Sequence, residues 1–212
     1  MKAPKIAIAV LAMLGVAACA NIERSRNLND ARVSAKTLAL QVCSACHAFD
    51  GNSVSPNFPN LAGQTPAYLV SQLKDFRKHS RADPAGFEYM WGLSRNLTDE
   101  QIDGLASYFA SQPLRPLPAG GVPGIAGQGI FERGVPEKSI PPCKVCHGEH
   151  GQGTDQNPRL AGQHADYLAK QLSVFQRTDE RPDGAVMKII AHDLTEANKS
   201  DVAAYLQAMA PR

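Results

Sequence analysis

The chain contains the sequence Cys43-Ser44-Ala45-Cys46-His47, and the same pattern returns 100 residues later as Cys143-Lys144-Val145-Cys146-His147. C-x-x-C-H is the attachment sequence of a c-type haem: both thiols form thioethers with the porphyrin, and the histidine binds the iron. Two copies predict two covalently bound haem c groups. The two C-x-x-C pairs alone would also fit a redox dithiol or a shared zinc site, but neither explains a histidine after both pairs.

The duplication extends well beyond these motifs. Pro59-Asn60-Leu61-Ala62-Gly63-Gln64 recurs at an offset of 99 residues as Pro158-Arg159-Leu160-Ala161-Gly162-Gln163. Matched positions continue along both halves: Tyr68, Leu69, Gln72, Leu73, Phe76, Met90, Leu97, Thr98 and Tyr108 correspond to Tyr167, Leu168, Gln171, Leu172, Phe175, Met187, Leu194, Thr195 and Tyr205. An internal repeat of this length predicts two similar structural units in tandem.

A stretch rich in proline and glycine separates the two units. Residues 113–129 contain four prolines and five glycines, and we expect this composition to form neither helix nor strand. The sequence therefore predicts a first domain with an N-terminal tether at 21–112, a linker at 113–128 and a second domain at 129–212.

Helical spacing of apolar residues dominates both units, and strand-like alternation is weak. Thr65 followed by Pro66 predicts the start of one helix, and Thr98 with Gln101 has the capping-box pattern that starts another. The apolar face of the last helix is expected to consist of Ile102, Leu105, Ala106 and Phe109 in the first unit, and of Val202, Tyr205, Leu206 and Met209 in the second. We predict an all-α protein.

Methionines supply a candidate sixth ligand for each iron. Met90 and Met187 each stand seven residues before the matched Leu-Thr pair that opens the last helix, whereas Met209 has no counterpart and is expected to pack in the core. A thioether opposite a histidine raises the reduction potential of the iron and fills the position where oxygen or peroxide would bind. Such a site is suited to electron transfer.

The prolines of the repeated loops have two interpretations. A metal-binding histidine donates its second ring N–H to an acceptor that fixes its orientation, and the carbonyl groups of Pro59 and Pro158 are candidates. The alternative is that these prolines only end a loop before a helix. The other histidines, His79, His150, His164 and His192, are expected at the surface or in loops, with His79 or His192 as alternative iron ligands.

Residues 1–20 are typical of an export signal. Lys2 and Lys5 accompany an apolar stretch from Ile6 to Val16, and small residues follow it. Ala18-Cys19-Ala20 fits a cleavage site, whereas Val16-Ala17-Ala18-Cys19 resembles the lipobox of bacterial lipoproteins, which would leave Cys19 as a lipid-carrying first residue. We expect a periplasmic protein, anchored to a membrane if Cys19 is lipidated.

Charge and composition exclude several classes of protein. The chain has 22 Lys and Arg against 20 Asp and Glu, and only 20% of its residues are charged. A nucleic-acid-binding protein with a dense basic face is therefore not expected. The 43% of hydrophobic residues are spread along the chain, which excludes a wholly disordered protein. Because each unit is small, we expect it to be largely unfolded without its haem.

Together these residues resemble the dihaem cytochromes c of the cytochrome c4 family, over residues 33 to 210. The resemblance implies two class I cytochrome c folds related by an approximate two-fold axis, with haem propionates close to the domain interface. By position it implies that His47 and Met90 bind the first iron, that His147 and Met187 bind the second, and that Pro59 and Pro158 accept from the histidines.

The sequence departs from the family at two places. Ala48 stands where the family commonly has glycine after the first histidine, so the first loop is expected to differ in shape from the loop at Gly148. The stretch from Gly134 to Pro142 has no counterpart of similar length in the first half.

The expected function is electron transfer from a membrane-bound or periplasmic donor to a terminal oxidase or reductase, without bond-making catalysis by the chain. One alternative is a cytochrome subunit bound to a dehydrogenase, such as a flavocytochrome sulfide dehydrogenase. Another is a dihaem peroxidase, which needs one iron with an open position; the two matched methionines argue against it.

Overall fold

The computed structural model describes residues 22–117, 124–155, 157–177, 180–181 and 184–210. The predicted export signal with Cys19, and residues 118–123 of the predicted linker, lie outside this part of the chain. Within the described residues, no helix combines the length and the apolar character that are needed to cross a membrane.

The first half contains four helices after a short 3-10 turn at Ile22–Arg24. Helix α1 (35–47) is continuous from Ala35–Leu38 through a π-helical segment, Ala39–Cys43, to a final turn, Ser44–His47. Helix α3 (86–94) likewise joins a second π-helical segment, Gly86–Met90, to Trp91–Ser94. The other two helices are α2 (Pro66–Arg77) and α4 (Asp99–Ala110). Such π-helical segments frequently mark functional sites, and these two end at Cys43 and Met90.

The second half repeats this order with local differences. Its helices are α5 (Ile125–Arg133), α6 (Lys144–His147), α7 (Ala165–Gln176), α8 (Ala185–Ala191) and α9 (Glu196–Ala208), with a 3-10 turn at Pro136–Lys138. The only strand-like pairing in the described residues is two isolated bridges, Val135 with Ile140 and Thr154 with Asn157. The prediction of an all-α protein is confirmed.

The predicted helix starts are present, with one change in how they are capped. Thr98 and Gln101 form the expected reciprocal capping box at the start of α4, and Thr195 with Asn198 does the same for α9. Helix α2 begins at Pro66 as predicted, but the Thr65 hydroxyl makes no capping bond and is buried without a partner.

The prediction that residues 113–129 form no helix is wrong at its end. Helix α5 begins at Ile125, inside the expected linker. The reason is close packing of α5 against α9: a Cβ atom on Gly127 would lie 2.1 Å from the carbonyl oxygen of Asp201. This glycine lets two helices approach each other, so its presence does not break the helix.

Each half has its own apolar core. In the first half α1 and α2 pack on α4, and in the second α5 and α7 pack on α9. The buried core residues are Val33, Leu38, Ala39, Leu69, Leu97, Ile102, Leu105, Ala106 and Phe109 in the first half, and Ile130, Phe131, Val135, Ile140, Leu168, Ala191, Leu194, Val202, Ala203 and Leu206 in the second. The whole predicted face of the first unit's last helix is buried, whereas Tyr205 and Met209 at its counterpart are only partly buried.

Candidate functional site

Each motif histidine stands at the C-terminal end of a helix, with its side chain turned inward. His47 ends α1, His147 ends α6, and both are buried. The ring Nδ1 of His47 lies 2.9 Å from the carbonyl oxygen of Pro59, and that of His147 lies 2.9 Å from the carbonyl oxygen of Pro158. Since a carbonyl oxygen only accepts, each Nδ1 carries the proton and each Nε2 has a lone pair for a metal.

Burial sets the protonation of the motif side chains. It lowers the pKa of both histidines, against the opposing effect of their bonds to Pro59 and Pro158, which favours the neutral ring that a metal requires. Burial also raises the pKa of the Cys43 thiol to about 12 and that of Cys143 to about 11. A reactive redox dithiol needs the opposite shift, so these thiols are poorly suited to that alternative.

The structure gathers the predicted haem-binding residues around one continuous cavity. The motif and methionine residues that line it are Cys43, Cys46, His47, Met90, Cys143, Cys146, His147 and Met187. Pro59 and Pro158 line it as well, beside apolar side chains from both cores. Within the described residues, no three His, Cys, Asp or Glu side chains lie close enough together to hold a metal ion, as a shared zinc site would require.

A polar cluster faces the cavity where the two halves meet. The Arg81 guanidinium donates to Gln72 at 2.6 Å and to Gln171 at 3.1 Å, and it pairs with Asp83 at 2.8 Å. The Arg181 guanidinium donates to the same two glutamine oxygens, at 2.7 Å each. Two guanidinium groups beside a mostly apolar cavity fit a cofactor that is apolar in its body and carries carboxylates at one edge. The donor set and the cavity therefore fit haem.

The residues that join the two halves were not among the predicted site residues. His164, expected at the surface or in a loop, lies in the loop before α7, but it is buried, and its Nε2 lies 2.9 Å from the carbonyl oxygen of Ser53 in the other half. The reason is its place in the repeat: it corresponds to Thr65, beside a loop that packs against the partner half. The other three histidines are exposed as expected. Polar residues duplicated at matched positions, such as Gln72 and Gln171, were the available signal.

The two departures from the family pattern have different outcomes. The loops after the histidines share one turn: the Gly51 amide donates to the Ala48 carbonyl at 3.2 Å, and the Gly151 amide donates to the Gly148 carbonyl at 2.9 Å. Ala48 adopts the positive φ of 59° that glycine would adopt more easily, so this turn is the same in both halves. The expected difference in the first loop lies beyond the turn: 12 positions separate His47 from Pro59, whereas 11 separate His147 from Pro158. The extra stretch Gly134 to Pro142 forms a compact loop between α5 and α6, closed by two backbone bonds between Val135 and Ile140.

Comparison with known proteins identifies the family. The family model of cytochrome c matches residues 33–113 and 126–210, once in each half. The cytochrome c4 of Pseudomonas aeruginosa is 35% identical over 211 residues, which cover 97% of this chain and 98% of that protein. The chain belongs to the cytochrome c4 family of dihaem cytochromes c. A solved structure of the Acidithiobacillus ferrooxidans cytochrome c4 matches with a TM-score of 0.74 and 40% identity, covering 78% of this chain and 97% of that one.

This cytochrome c4 therefore binds two haem c groups, through Cys43 and Cys46 and through Cys143 and Cys146. It is an electron-transfer protein. The chain is also similar to a protein described as a thiosulfate dehydrogenase electron acceptor, from Stutzerimonas stutzeri strain A1501. That similarity is 33% identity over 173 residues, 79% of this chain and 77% of that protein.

Proposed function

We propose that this cytochrome c4 carries electrons in the periplasm from a respiratory donor to a terminal oxidase or reductase. His47 with Met90 would hold the first iron, and His147 with Met187 would hold the second. The observation that carries the proposal is the neutral, carbonyl-bonded histidine in each half, which lines the same cavity as a methionine from a separate helix. When bound, each haem supplies a one-electron couple between ferrous and ferric iron.

The chain's own residues would orient each haem and exclude other ligands from its iron. The histidines, fixed by the Pro59 and Pro158 carbonyls, keep one orientation toward the cavity. The methionines fill the position that oxygen or peroxide would occupy, which leaves no site for a peroxidase reaction. Arg81 and Arg181 lie at the junction of the halves and would attract the carboxylates of the haem groups. The two haem sites would therefore approach each other at this junction.

Export and membrane attachment belong to the same proposal. The sequence at 1–20 supports passage to the periplasm, and Cys19 in its lipobox-like context supports a lipid anchor. A tether of this kind would keep the carrier at the membrane surface, near respiratory enzymes. Mass measurement of the protein purified from its own cells is expected to give a chain that begins at Cys19 and carries acyl groups and two haems. If the chain begins after Cys19, the proposed lipid anchor is ruled out, and the proposal of an electron carrier without that anchor remains.

A second candidate function is a dedicated electron acceptor for a dehydrogenase. The observation that favours it is the similarity to the thiosulfate dehydrogenase electron acceptor, which extends over both halves. Such a partner would co-purify with the cytochrome at a fixed stoichiometry, whereas a free carrier would be isolated alone. Reduction of the purified cytochrome by a thiosulfate dehydrogenase would identify the donor.

The ligand assignment is tested by an optical redox titration of the purified holoprotein. The red charge-transfer band between methionine sulfur and ferric iron is expected from both haems. Met187→Ala should remove about half of that band and lower one of the two potentials, because the thioether that favours ferrous iron is lost. Met90→Ala should do the same for the other haem.

Met209→Leu is the matched control, because Met209 packs on the second core and does not line the cavity. It should leave the band and both potentials unchanged. An unchanged spectrum in Met187→Ala would contradict the proposed ligation.

A further inference from the structure

The repeated loops exchange a glutamine side chain across the junction of the halves. Gln163 accepts the backbone N–H of Asn60 at 2.8 Å and donates its amide to the Asn60 carbonyl at 3.0 Å. In the opposite direction, Gln64 accepts the backbone N–H of Arg159 at 2.7 Å and donates to the Arg159 carbonyl at 3.1 Å. All four residues are buried, so water does not compete for these bonds.

These bonds end on the peptide groups that hold the motif histidines. The N–H of Asn60 belongs to the same planar peptide unit as the Pro59 carbonyl, and that carbonyl accepts the ring proton of His47 at 2.9 Å. The peptide unit between Pro158 and Arg159 joins His147 to Gln64 in the same way. Each histidine is therefore linked through one peptide unit to the glutamine of the other half.

Hydrogen bonds at the two ends of one peptide unit strengthen each other. When the N–H is donated to a glutamine oxygen, the carbonyl oxygen gains negative charge and becomes a better acceptor. A better acceptor draws the histidine Nδ1 proton more strongly and makes the ring a more basic metal ligand. A more basic ligand stabilises ferric iron relative to ferrous iron, which lowers the reduction potential.

We infer that Gln64 and Gln163 are crosswise positioning residues, each of which tunes the haem of the half to which it does not belong. Gln163 lowers the potential of the first haem through Asn60 and Pro59, and Gln64 lowers that of the second haem through Arg159 and Pro158. The inference rests on the proposed histidine ligation. It makes the potential of each haem depend on one particular side chain of the other half.

The test compares Gln64→Met with Gln163→Met in the haem-loaded, full-length protein. Methionine is similar in length, but its thioether sulfur is a much weaker hydrogen-bond acceptor than the glutamine oxygen, and it has no N–H to donate. Gln64→Met should raise the potential of the second haem and Gln163→Met that of the first. Since a neighbouring bond strengthens a hydrogen bond by only roughly 10–30%, the expected change is about twofold in the oxidised-to-reduced ratio, or ~18 mV at 59 mV per tenfold.

The two potentials are followed separately by NMR of the oxidised protein. The haem methyl signals are assigned to a half through their contacts with residues of that half, and their loss is monitored during reduction. His164→Phe is the matched control: it removes another hydrogen bond between the halves, to the Ser53 carbonyl, without touching either proline peptide unit. This variant should not raise the potential of one haem selectively, as the two glutamine variants are expected to do. Gln64→Asn and Gln163→Asn, which withdraw the amide by one methylene, serve if the methionine variants do not fold.

Crossed shifts in the reciprocal variants support the inference. A shift confined to the haem of the mutated half, an equal shift of both haems, or no shift in either variant would overturn it while the proposed ligation stands. Absence of histidine-ligated iron in the unmodified protein would overturn the proposed ligation and the inference together, and its optical spectrum distinguishes this case from the others.

Discussion

At the scale of single residues, Ala48 bears a backbone conformation that the repeat assigns to glycine. Its φ is 59° and its ψ is 164°, close to the values of 84° and 154° at Gly148. This region is nearly exclusive to glycine and costs other residues on the order of 1–3 kcal/mol. The turn after the first histidine is therefore held in place by the bonds around it, at some expense in stability.

Replacing Ala48 with glycine is expected to stabilise the holoprotein. The strain is removed, and the greater freedom of glycine in the unfolded chain offsets part of the gain, so a net increase of about 1 kcal/mol is expected. The reciprocal change, Gly148→Ala, should destabilise by a similar amount. Thermal unfolding of both variants measures the effect, and a lower melting temperature for Ala48→Gly would refute the explanation.

Whether a hydrogen bond could be predicted from the sequence depends on how many positions separate its two residues along the chain. The pairing of each histidine with a proline carbonyl joins residues 11 or 12 positions apart within one repeat, so a single half contains all the information. The bonds from Gln64 and Gln163 join residues 95 and 103 positions apart. No local pattern distinguishes such a glutamine from one that faces solvent.

At the scale of elements, local chemistry predicted helix starts better than it predicted the linker. A capping box needs only four neighbouring residues, and the box at Thr98 formed as expected. Glycine has two meanings that composition does not separate: it ends a helix, or it lets two helices touch. Gly127 in α5 has the second role, because the backbone of Asp201 in α9 occupies the space beside it.

The loop between α5 and α6 shows what an insertion in one repeat changes. In the first half α1 runs directly into the motif, so the cysteines and His47 continue one helix. In the second half the added residues separate α5 from α6, yet His147 reaches the Pro158 carbonyl at the same 2.9 Å as its counterpart. The insertion is therefore absorbed before the motif, and the geometry at the histidine is preserved.

At the scale of the whole molecule, the junction of the halves is polar and reciprocal. Gln64 bonds to Arg159 as Gln163 bonds to Asn60, which is the pattern of a two-fold interface in which each contact occurs twice. The sequence pattern within one half did not predict this junction. The residues buried there carry charges or amide groups, and such residues are normally expected at the surface. Their apolar neighbours face the cavity, and the Gln64 and Gln163 amides find their partners only after the halves meet.

The ion pair between Arg81 and Asp83 makes this junction sensitive to acid. Burial raises the pKa of the Asp83 carboxyl, but the charge and hydrogen bond of Arg81 outweigh it, and the net pKa lies below its ordinary value. A carboxyl with a lowered folded-state pKa stabilises the fold fully above its unfolded pKa, near 3.9. That contribution is lost as the pH falls through the lower, folded-state value.

Asp83→Asn is expected to lower stability at pH 7 by about 3 kcal/mol, because the buried Arg81 guanidinium loses its counter-charge. The difference from the parent protein should begin to shrink below pH ~4, where the Asp83 carboxyl of the unfolded parent chain becomes protonated while that of the folded chain still resists protonation. Denaturant unfolding of both holoproteins between pH 3 and pH 7 measures this. Asp99→Asn removes a more exposed pair with Arg77 and should leave stability nearly unchanged at every pH, because solvent screens such a pair. A gap between Asp83→Asn and the parent that stays constant with pH would show that the Asp83 charge does not hold the junction together.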